Sequence, residues 1–555
     1  MTDTARDILQ KFEFLAQDRE PWEADWKEIT RLVIPRRSLF EETKTEGSRV
    51  GQDIYDGTAV SANTLLANGL MGYLVGPLLK WFKLGLANQE ALELPGVRRW
   101  LELAETVLYA DFSRSTLYEE ALEFFKDGGS IGNATMYIEE DYEEGLPFFS
   151  TRHQKEIYID TDRRNRVDTV FRRYYMRARN MAGEFGYDNL PYTIQRDCEE
   201  APYEKHEVIH AVFPREDRDV TRIDRKNKRF ASYYIDVSTS EILREGGYDI
   251  FPYIHWRWST NSDEKMGRGP AHDALVKIKR ANAMARDMMR YSQRAADPPY
   301  NVPENMRGRV NVMPRGLNYY ASPDAILTPL NYGGNYQVGL DQQQDIRRII
   351  EDDFLVDFFL ALQRAPQGMT ATEVMERQAE KAAILGPVIG RIESDVLDKI
   401  IAVAFRQAVQ AGRIPPAPPA LGRLVGTPIQ VEYIGPLAQA SKKFHIQHGI
   451  QQSLSMFGGL MQMDPNVSGL LKWEDVGRRL LESTGMPQDV VRDRREYAEW
   501  VQAMERAAQA QEQREQQAQM MQNADKLSQA PEPGSPMQEI NRSMQGSMAM
   551  AQGGV

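Results

Sequence analysis

A chain of 555 residues is too long for one hydrophobic core, because cores stop growing at about 250–300 residues, so we expect several packed parts. The formal net charge of −12 argues against tight phosphate binding, which usually needs a surplus of Lys and Arg; on charge alone, a protein that binds no nucleic acid is the simpler interpretation. The single cysteine, Cys198, excludes an internal disulfide and any site built from several thiolates.

The first 131 residues are expected to be helical. The segments Ile8–Ala16 and Trp22–Val33 are amphipathic, and Leu65–Leu79 is the most apolar stretch of the chain. That stretch is shorter than the roughly 20 residues that an α-helix needs to cross a bilayer, and it contains three glycines and a proline. We expect it to form buried helix with close backbone packing; insertion into a membrane is the alternative.

Between residues 132 and 262 the apolar pattern changes to the period of two that is typical of strands. β-Branched and aromatic runs alternate with charged or glycine-containing turns, which predicts a β-rich part with hairpins. A run with charges of both signs, Arg218–Arg229, is interpreted as a solvated hairpin tip. The predicted strands read TMYIEED, EIYIDTD, VDTVFRRYYMRAR, HEVIHAVF, FASYYIDVS and YIHWRW.

One of these runs contains a catalytic-looking pattern. His206, Glu207 and His210 match H-E-x-x-H, which binds zinc in metalloproteases only when it lies on a helix. The neighbouring β-formers Val208 and Ile209 favour a strand, on which residues four apart lie about 13 Å from each other. A zinc metallohydrolase is therefore the weaker alternative, and no metal or cofactor is expected.

The β-rich part also contains a sequence that begins like a calcium-binding loop. Asp160 and Asp162 fit the start of such a loop, but Asn165 stands where the sharp turn of the loop needs glycine. A hairpin turn is the expected structure. The chain also lacks the G-x-x-x-x-G-K-[ST] sequence that cradles nucleotide phosphates.

Two long helices are predicted between residues 270 and 362. Pro270 stands where a helix begins, since the missing N–H of proline has no partner in the first turn, and Asp297-Pro298-Pro299 ends that helix. The second helix, Gln337–Leu362, carries an apolar residue at every fourth position from Ile346 to Leu362. Each helix would be about 40 Å long.

The two helices carry opposite charge, which favours pairing within one chain or between neighbouring copies; contact of the basic helix with DNA is the alternative. Exposed ion pairs contribute only about 0–1 kcal/mol each, so they would set the register of the helices rather than hold copies together. The candidate residues are Lys277, Arg280, Arg286 and Arg290 on the first helix and Asp341, Asp345, Glu351 and Asp352 on the second.

The segment between the helices, residues 298–336, contains six prolines. Its apolar and aromatic content argues against a disordered linker. The pieces RVNV, LNYY and AILTPL predict short strands in a small folded tip.

A third helix is predicted over residues 370–411, after a short connection at residues 363–369. Thr370-Ala371-Thr372-Glu373 is a capping box, and Gly412 is a typical residue to follow a helix end. Gly386 and Pro387 predict a kink, because proline removes one backbone hydrogen bond and clashes with the preceding turn.

The C-terminal part is less regular. Residues 412–486 contain a proline-rich linker, the strand IQVEYIGP and a Met-rich helical stretch. Residues 487–527 predict a polar helix, which we expect to pack against copies of itself. The tail, residues 528–555, has too little apolar surface to fold by itself.

Four segments spread over residues 66–442 resemble the portal, or head-to-tail connecting, proteins of short-tailed bacteriophages. They are LANGLMGYLVGPLLKWFKL (Leu66–Leu84), GRGPAHDALVKIKRANAMARDMMRYSQRAADPP (Gly267–Pro299), MTATEVMERQAEKAAILGPVIGRIESDVLD (Met369–Asp398) and YIGPLAQASK (Tyr433–Lys442). The resemblance implies an α+β, mainly α protein that forms a ring of about twelve copies at one capsid vertex.

The resemblance also implies the order of the parts. The chain begins with a helical N-terminal part of the wing (1–131), a β-rich wing (132–262), a stem helix (263–297) and a small clip (298–336). These are followed by a second stem helix (337–362), a tunnel loop (363–369) and a kinked helix (370–411). The chain then completes the wing (412–486) and ends in a crown or barrel helix (487–527) and a tail (528–555).

By the same resemblance the protein is a non-enzymatic virion component that is assembled in the host cytoplasm. Its implied partners are other copies of itself, double-stranded DNA without sequence preference, the terminase large subunit, tail adaptor and tail tube proteins, and the major capsid and scaffolding proteins. The implied DNA-facing loop residues are Gln363, Arg364, Gln367 and Met369, and the implied docking residues of the clip are Asn305, Arg307, Arg309, Tyr319 and Tyr320.

Overall fold

The structure, a computed structural model, describes residues 2–37, 47, 49–92, 94, 96–140, 145–219, 221–222, 224–313, 315–320, 326–330, 336–363, 385–422, 429–435, 474–477 and 494–528. It mixes helix and strand, with helix predominating, as expected for an α+β, mainly α protein. Contacts divide the chain into two units, Met1–His445 and Ile446–Val555.

The N-terminal part is helical, as predicted, apart from one short strand. The two predicted amphipathic segments belong to one continuous helix, and the strand follows the apolar helix. The elements are α1 (Thr2–Val33), α2 (Thr58–Leu74), β1 (Phe82–Leu86), α3 (Gln89–Leu92), α4 (Val97–Arg114) and α5 (Leu117–Ile131).

The apolar run at residues 65–79 forms the second half of α2, which buries Leu66, Ala67 and Leu70 in the main core. The helix ends at Leu74, and Leu78 beyond it is 94% exposed. Buried helix is therefore confirmed for most of the run. Within the described residues, no helix combines the length and apolar character that a membrane crossing requires.

Two antiparallel sheets form the β-rich part. One has the strand order β3-β2-β9 and the other β4-β5-β6-β7-β8. Six predicted strands are confirmed, while β3, β8 and two short helices are additions to the prediction. The elements are β2 (Asn133–Glu140), β3 (Pro147–Arg152), β4 (Ile157–Thr161), β5 (Val167–Arg177), α6 (Ala178–Phe185), α7 (Tyr192–Glu200), β6 (Lys205–Pro214), β7 (Phe230–Asp236), β8 (Glu241–Tyr248) and β9 (Tyr253–Arg257).

The five-stranded sheet is covered by helices on both faces. Because side chains alternate along a strand, neighbouring residues of β6 point to opposite sides. Ile209 joins a cluster with Ile8 and Phe12 of α1, whereas Val208 joins a cluster with Met181 of α6 and Ile194 of α7. The charged run predicted as a hairpin tip connects the antiparallel neighbours β6 and β7, which confirms that prediction.

The first long helix is confirmed as α8 (Pro270–Ala296), but the second is broken. It forms α9 (Tyr336–Asp353) and α10 (Val356–Gln363). Leu355 between them has a φ of +57°, in the left-handed region that interrupts a right-handed helix. The prediction of one straight helix over residues 337–362 is therefore wrong at this point.

A further helix, α11, occupies residues 385–410 and contains a π turn at Glu393–Leu397. Gly412 follows it with a φ of +71°, as expected for a residue beyond a helix end. Gly386 and Pro387 lie in the first described turn, and residues 370–384 are outside the described residues, so the predicted kink stays a prediction. The turn α12 (Pro419–Gly422) precedes β12 (Ile429–Tyr433), the predicted IQVEY strand, which pairs antiparallel with β1.

The second unit contains one long described helix, α13 (Arg494–Ser528). Its side chains are exposed around the whole circumference from Gln502 to Met520. Tyr497 and Trp500 stack with ring centroids 6.0 Å apart. The predicted polar helix is therefore present, while residues 487–493 and 529–555 lie outside the described residues.

Candidate functional site

Helices α8 and α9 form an antiparallel hairpin. At one end Lys277 Nζ lies 2.6 Å from a carboxylate oxygen of Asp353, and at the other end the rings of Tyr291 and Tyr336 stack 5.9 Å apart. Between these ends, Gly339 leaves room for the Met288 side chain, whose sulfur would lie only 2.8 Å from an added Cβ. The segment between the helices therefore emerges at the Tyr291–Tyr336 end.

Only the base of this hairpin is held by the core. Ala281 is the last buried residue of α8, and Gln343 is the first buried residue of α9. The 15 residues of α8 beyond Ala281 would extend about 22 Å. The outer half of the hairpin thus projects from the folded body of the chain.

Asp56 ties the base of the hairpin to the loop before α2. Arg347 donates to Asp56 at 2.8 Å, and Asn282 Oδ1 accepts from the backbone N–H groups of Tyr55 and Asp56. Burial opposes ionisation of Asp56, but hydrogen bonds from Thr58 and Arg347 outweigh it and hold the pKa of Asp56 below its usual value. The sequence gives no hint of this pair, whose members are 291 residues apart.

The predicted charged residues occupy different environments. Besides the Lys277–Asp353 pair, Arg286 and Arg290 approach Asp287 of their own helix at 3.4 Å and 4.0 Å, and Gln337 donates to Asp341. The structure thus brings one predicted cation of α8 onto α9 and leaves most of the opposite charges on outer faces. Arg280, Asp341, Asp345 and Asp352 are exposed, and Glu351 is half-buried.

Apolar side chains also lie on the outer faces of the hairpin. Val276 is 77% exposed although it lies on the same helix as the buried Leu275, and Ile349 is 45% exposed beside the buried Ile350. Each pair places an apolar side chain in the core and its neighbour in solvent.

The excursion at the tip of the hairpin is partly ordered by a two-stranded pair, β10 (Tyr300–Asn301) and β11 (Thr328–Pro329). The predicted strands RVNV and LNYY are wrong. Asn318 bonds through its side chain to the backbone N–H and C=O of Asn311, and this replaces a strand ladder. Side-chain amides can thus satisfy backbone groups in place of a neighbouring strand.

Most apolar residues of this excursion face solvent. Val312, Met313, Leu317, Tyr319 and Tyr320 are each at least 60% exposed. Of the predicted docking residues, Arg307, Arg309, Tyr319 and Tyr320 are exposed, and the side chain of Asn305 lies outside the described residues.

The predicted tunnel loop begins where α10 ends. Phe359 of α10 packs on Gly69 of α2, where an added Cβ would lie 2.3 Å from the ring, and it stacks on Tyr73. Gln363 is the last residue of α10. Its side chain, together with Arg364, Gln367 and Met369, lies outside the described residues, so these four sites stay predictions.

The H-E-x-x-H pattern lies on strand β6, as expected, and its two histidines have separate partners. His206 Nε2 lies 3.3 Å from Asp197, whereas His210 bonds to Tyr253 Oη and Ser232 Oγ. Burial, followed by the nearby Arg172, lowers the pKa of His210, which keeps the ring neutral. Two histidines in these positions on a strand do not share a zinc ion, so the structure gives the metallohydrolase alternative no support.

The calcium-loop alternative is also excluded by local structure. Asn165 donates its N–H to the carbonyl of Asp162, and Asp162 accepts from the N–H of Arg166 through its side chain, which closes the expected turn between β4 and β5. Among the side chains that the structure describes, no group of three or more His, Cys, Asp or Glu residues is placed to hold a metal ion.

The sequence Gly128–Gly132 matches the G-x-S-x-G pattern of serine hydrolases. In those enzymes the serine stands exposed on a strand-to-helix turn. Here Ser130 is fully buried in the last turn of α5 and donates to the carbonyl of Lys126 at 2.7 Å. The serine therefore stabilises a helix end and is not placed to act as a nucleophile.

Comparison with known proteins finds matches that cover most of the chain. The chain is 29% identical over 476 residues to the "Probable portal protein" of Bordetella phage BPP-1, covering 83% of this chain and 84% of that protein. It is 28% identical over 531 residues to the "Portal protein" of Salmonella phage epsilon15, covering 92% of this chain and 93% of that protein. The family described as "Bacteriophage head to tail connecting protein" matches residues 5–491. The chain belongs to this family of phage head-to-tail connecting, or portal, proteins.

Proposed function

We propose that this chain is the protomer of a closed ring of about twelve copies that occupies one capsid vertex and conducts double-stranded DNA during packaging and ejection. Membership of the portal family and the names of two relatives that match most of the chain support the general role. The role is structural, and the packaging ATPase is a separate chain, the terminase large subunit.

The observation that carries the ring is the exposed surface of the α8–α9 hairpin. In one copy its outer half projects from the core, and its base exposes Val276 and Ile349. Apolar side chains that lie exposed on a rigid helical surface lose contact with water when a neighbouring copy covers them, at about 25 cal/mol per Å². In a ring, each hairpin has a neighbour on both sides.

Charge supports the same arrangement. The outer faces of α8 carry Arg280 and Arg290, and those of α9 carry Asp345 and Asp352. A heterologous contact places α8 of one copy against α9 of the next and closes into a ring when the rotation between copies allows. Opposite charges then face each other and define the register, with little contribution to affinity.

The remaining parts complete the role. The exposed tip of the hairpin, with Arg307, Arg309, Tyr319 and Tyr320, is the docking surface for the terminase large subunit and later for tail adaptor and tail tube proteins. The loop at residues 363–369 projects into the channel, where its polar residues contact DNA phosphates without reading sequence. Copies of α13 bundle into a crown, and the wing contacts the major capsid and scaffolding proteins.

The test replaces apolar side chains that are exposed in one copy. Val276→Asp and Ile349→Asp leave the core of the single chain untouched, so the thermal unfolding midpoint should stay close to that of the unmodified protein. In the proposed ring they bury a charge at the contact, and the ring fraction measured by native mass should fall by about tenfold or more.

Tyr192→Asp is the matched control, because Tyr192 is 78% exposed on α7, away from the hairpin. It should leave the ring fraction unchanged. Rings that persist in both hairpin variants would show that α8 and α9 do not form the contact between copies.

A further inference from the structure

The turn between β4 and β5 carries three arginines, and further cations come close to it from two distant segments. Arg163, Arg164 and Arg166 are exposed in this turn, which Asp162 closes by accepting from the N–H groups of Arg164 and Arg166. Arg257, at the end of β9, donates to the Asn165 side chain at 2.9 Å and also to its carbonyl. The tip of the turn is therefore fixed rather than free to move.

Helix α11 adds cations on the other side of Arg257. Arg391 donates to the carbonyl of Trp258, one residue beyond Arg257, at 3.1 Å. Burial lowers the pKa of Arg257, opposed by Asp395 and reinforced by Arg391. Burial also lowers the pKa of Lys399, opposed by Asp395 and reinforced by Arg257 and Arg166. Desolvation is the main cause of both shifts, and the neighbouring cations add to it. The arginine corner comprises Arg163, Arg164, Arg166, Arg257, Arg391 and Lys399.

The carboxylates of this region are largely occupied. Asp162 binds Arg166 at 2.9 Å, and Lys265 lies 2.9 Å from both Asp160 and Asp18. Asp168 is half-buried beside Thr169, and Asp395 faces Arg257 and Lys399. Among the described residues, no ion pair forms at Arg163, Arg164, Arg257, Arg391 or Lys399.

The second hairpin tip of the sheet shows what a neutralised arrangement looks like. In the connection between β6 and β7, Arg222 approaches Asp219, Lys226 approaches Glu245 and Lys228 approaches Asp249. That tip pairs three of its cations with carboxylates, whereas Arg163 and Arg164 of the arginine corner face solvent. In a chain with a net charge of −12, a local surplus of cations is the exception.

We propose that the arginine corner binds the phosphate backbone of double-stranded DNA, without sequence preference, as one of the places where the portal contacts its genome. The inference rests on the proposed function in taking DNA as the polyanion. Guanidinium groups bind phosphate oxygens in a two-pronged geometry, and a fixed turn loses little freedom when it does so. The acidic remainder of the protein keeps the overall affinity low, which allows DNA to move past the corner.

The experiment measures binding of the full-length protein to a labelled 30-base-pair duplex by fluorescence anisotropy at several salt concentrations (about 50–200 mM). Arg163→Gln with Arg164→Gln should weaken binding by about tenfold and reduce the slope of log K against log salt by about 1.8, the value for two lost phosphate contacts. Arg163→Lys with Arg164→Lys keeps the charges and should retain most of the slope. Arg222→Gln with Lys226→Gln removes the same charge from the other hairpin tip and should leave the slope unchanged.

An unchanged slope in the double glutamine variant would overturn the proposal and would leave an acidic protein surface as the partner of the corner. The native mass of the same samples shows whether the proposed ring forms, independently of whether the arginine corner binds DNA. Arginine-dependent DNA binding by a protein that forms no ring would contradict the proposed function and retain the arginine corner.

Discussion

Gly132 shows how one residue fixes the join between the N-terminal helices and α8. It ends α5 with a φ of +77°, and an added Cβ would lie 2.3 Å from the backbone nitrogen of Gly269. Because that nitrogen belongs to the backbone, a larger residue can be accommodated only by moving the chain. Gly132 therefore sets how closely the start of α8 approaches the end of α5.

We expect Gly132→Ala to lower the free energy of unfolding by about 3 kcal/mol or more, the sum of left-handed strain and a backbone clash. Gly96→Ala is the control, because Gly96 has a similar φ of +84° but nothing within 4 Å of its added Cβ. Gly96→Ala should lower the free energy of unfolding by about 1 kcal/mol, which is the left-handed strain alone. Chemical denaturation measures both, and equal losses would mean that the contact with Gly269 is unimportant.

Asp127 gives the stability of the protein a defined pH dependence. Its carboxylate is fully buried and lies 2.5 Å from Arg37. Burial raises the pKa of Asp127 to about 6, although Arg37 opposes the rise. A raised pKa means that the folded state holds the proton more tightly than the unfolded state, so the stability contributed by this group is lost as the pH rises from 3.8 to about 6.

Asp127→Asn removes this titration. The unfolding midpoint of the variant, relative to that of the unmodified protein, should therefore rise across the same pH interval, whatever the cost of losing the bond to Arg37. Thermal unfolding at a series of pH values measures the difference. A constant difference over the whole interval would show that Asp127 does not titrate there.

Strand β6 determines what the H-E-x-x-H residues can do. Because the segment is extended, His210 lies inside the sheet and bonds to Tyr253 and Ser232, whereas His206 sits near the start of the strand beside Asp197. On a helix, His206 and His210 would lie one turn apart on the same face, where both could bind one metal ion. The element, and not the motif, decides their role.

His210→Ala should destabilise the protein by about 2–4 kcal/mol, because it opens a cavity and leaves two buried hydroxyls without their partner. His206→Ala, which removes a contact with Asp197 near the strand end, should cost less than about 1 kcal/mol. Added zinc should shift the unfolding midpoint of neither the variants nor the unmodified protein. A zinc-dependent rise that both substitutions abolish would revive a metal site.

The elements that the sequence predicts best are those with a clear period and clear ends. β4 to β7 are runs of β-branched and aromatic residues bounded by charged turns, and α8 has Pro270 at one end and Pro298 at the other. β3 and β8 escaped prediction because Pro147 and two glycines weaken their patterns. The pairing of β1 with β12 joins Phe82 to Tyr433, and nothing local to either strand identifies its partner.

The features of the candidate site also differ in how far the sequence predicts them. The two helices and the excursion between them follow from periodicity and proline, but the break at Leu355 does not, because the apolar spacing continues through it and leucine rarely adopts a positive φ. The Asp56–Arg347 pair and the arginine corner join segments far apart in sequence. Nothing local to these segments indicates that they meet.

At the scale of the whole molecule, the first unit, Met1–His445, is a folded body with an exposed helical hairpin. The body buries the N-terminal helices, both sheets and α11 in a continuous core, and the hairpin projects from it with apolar residues on its outer faces and at its tip. In a single copy, the apolar surface of this projection stays exposed to water. Neighbouring copies in a ring would cover it.

The most direct test of this proposal is the native mass of the purified protein, with electron micrographs of the same sample. We expect a closed particle of about twelve times the mass of one chain, with a central hole wide enough for duplex DNA. A monodisperse monomer that stays monomeric at high protein concentration, and with the hairpin intact, would contradict the ring.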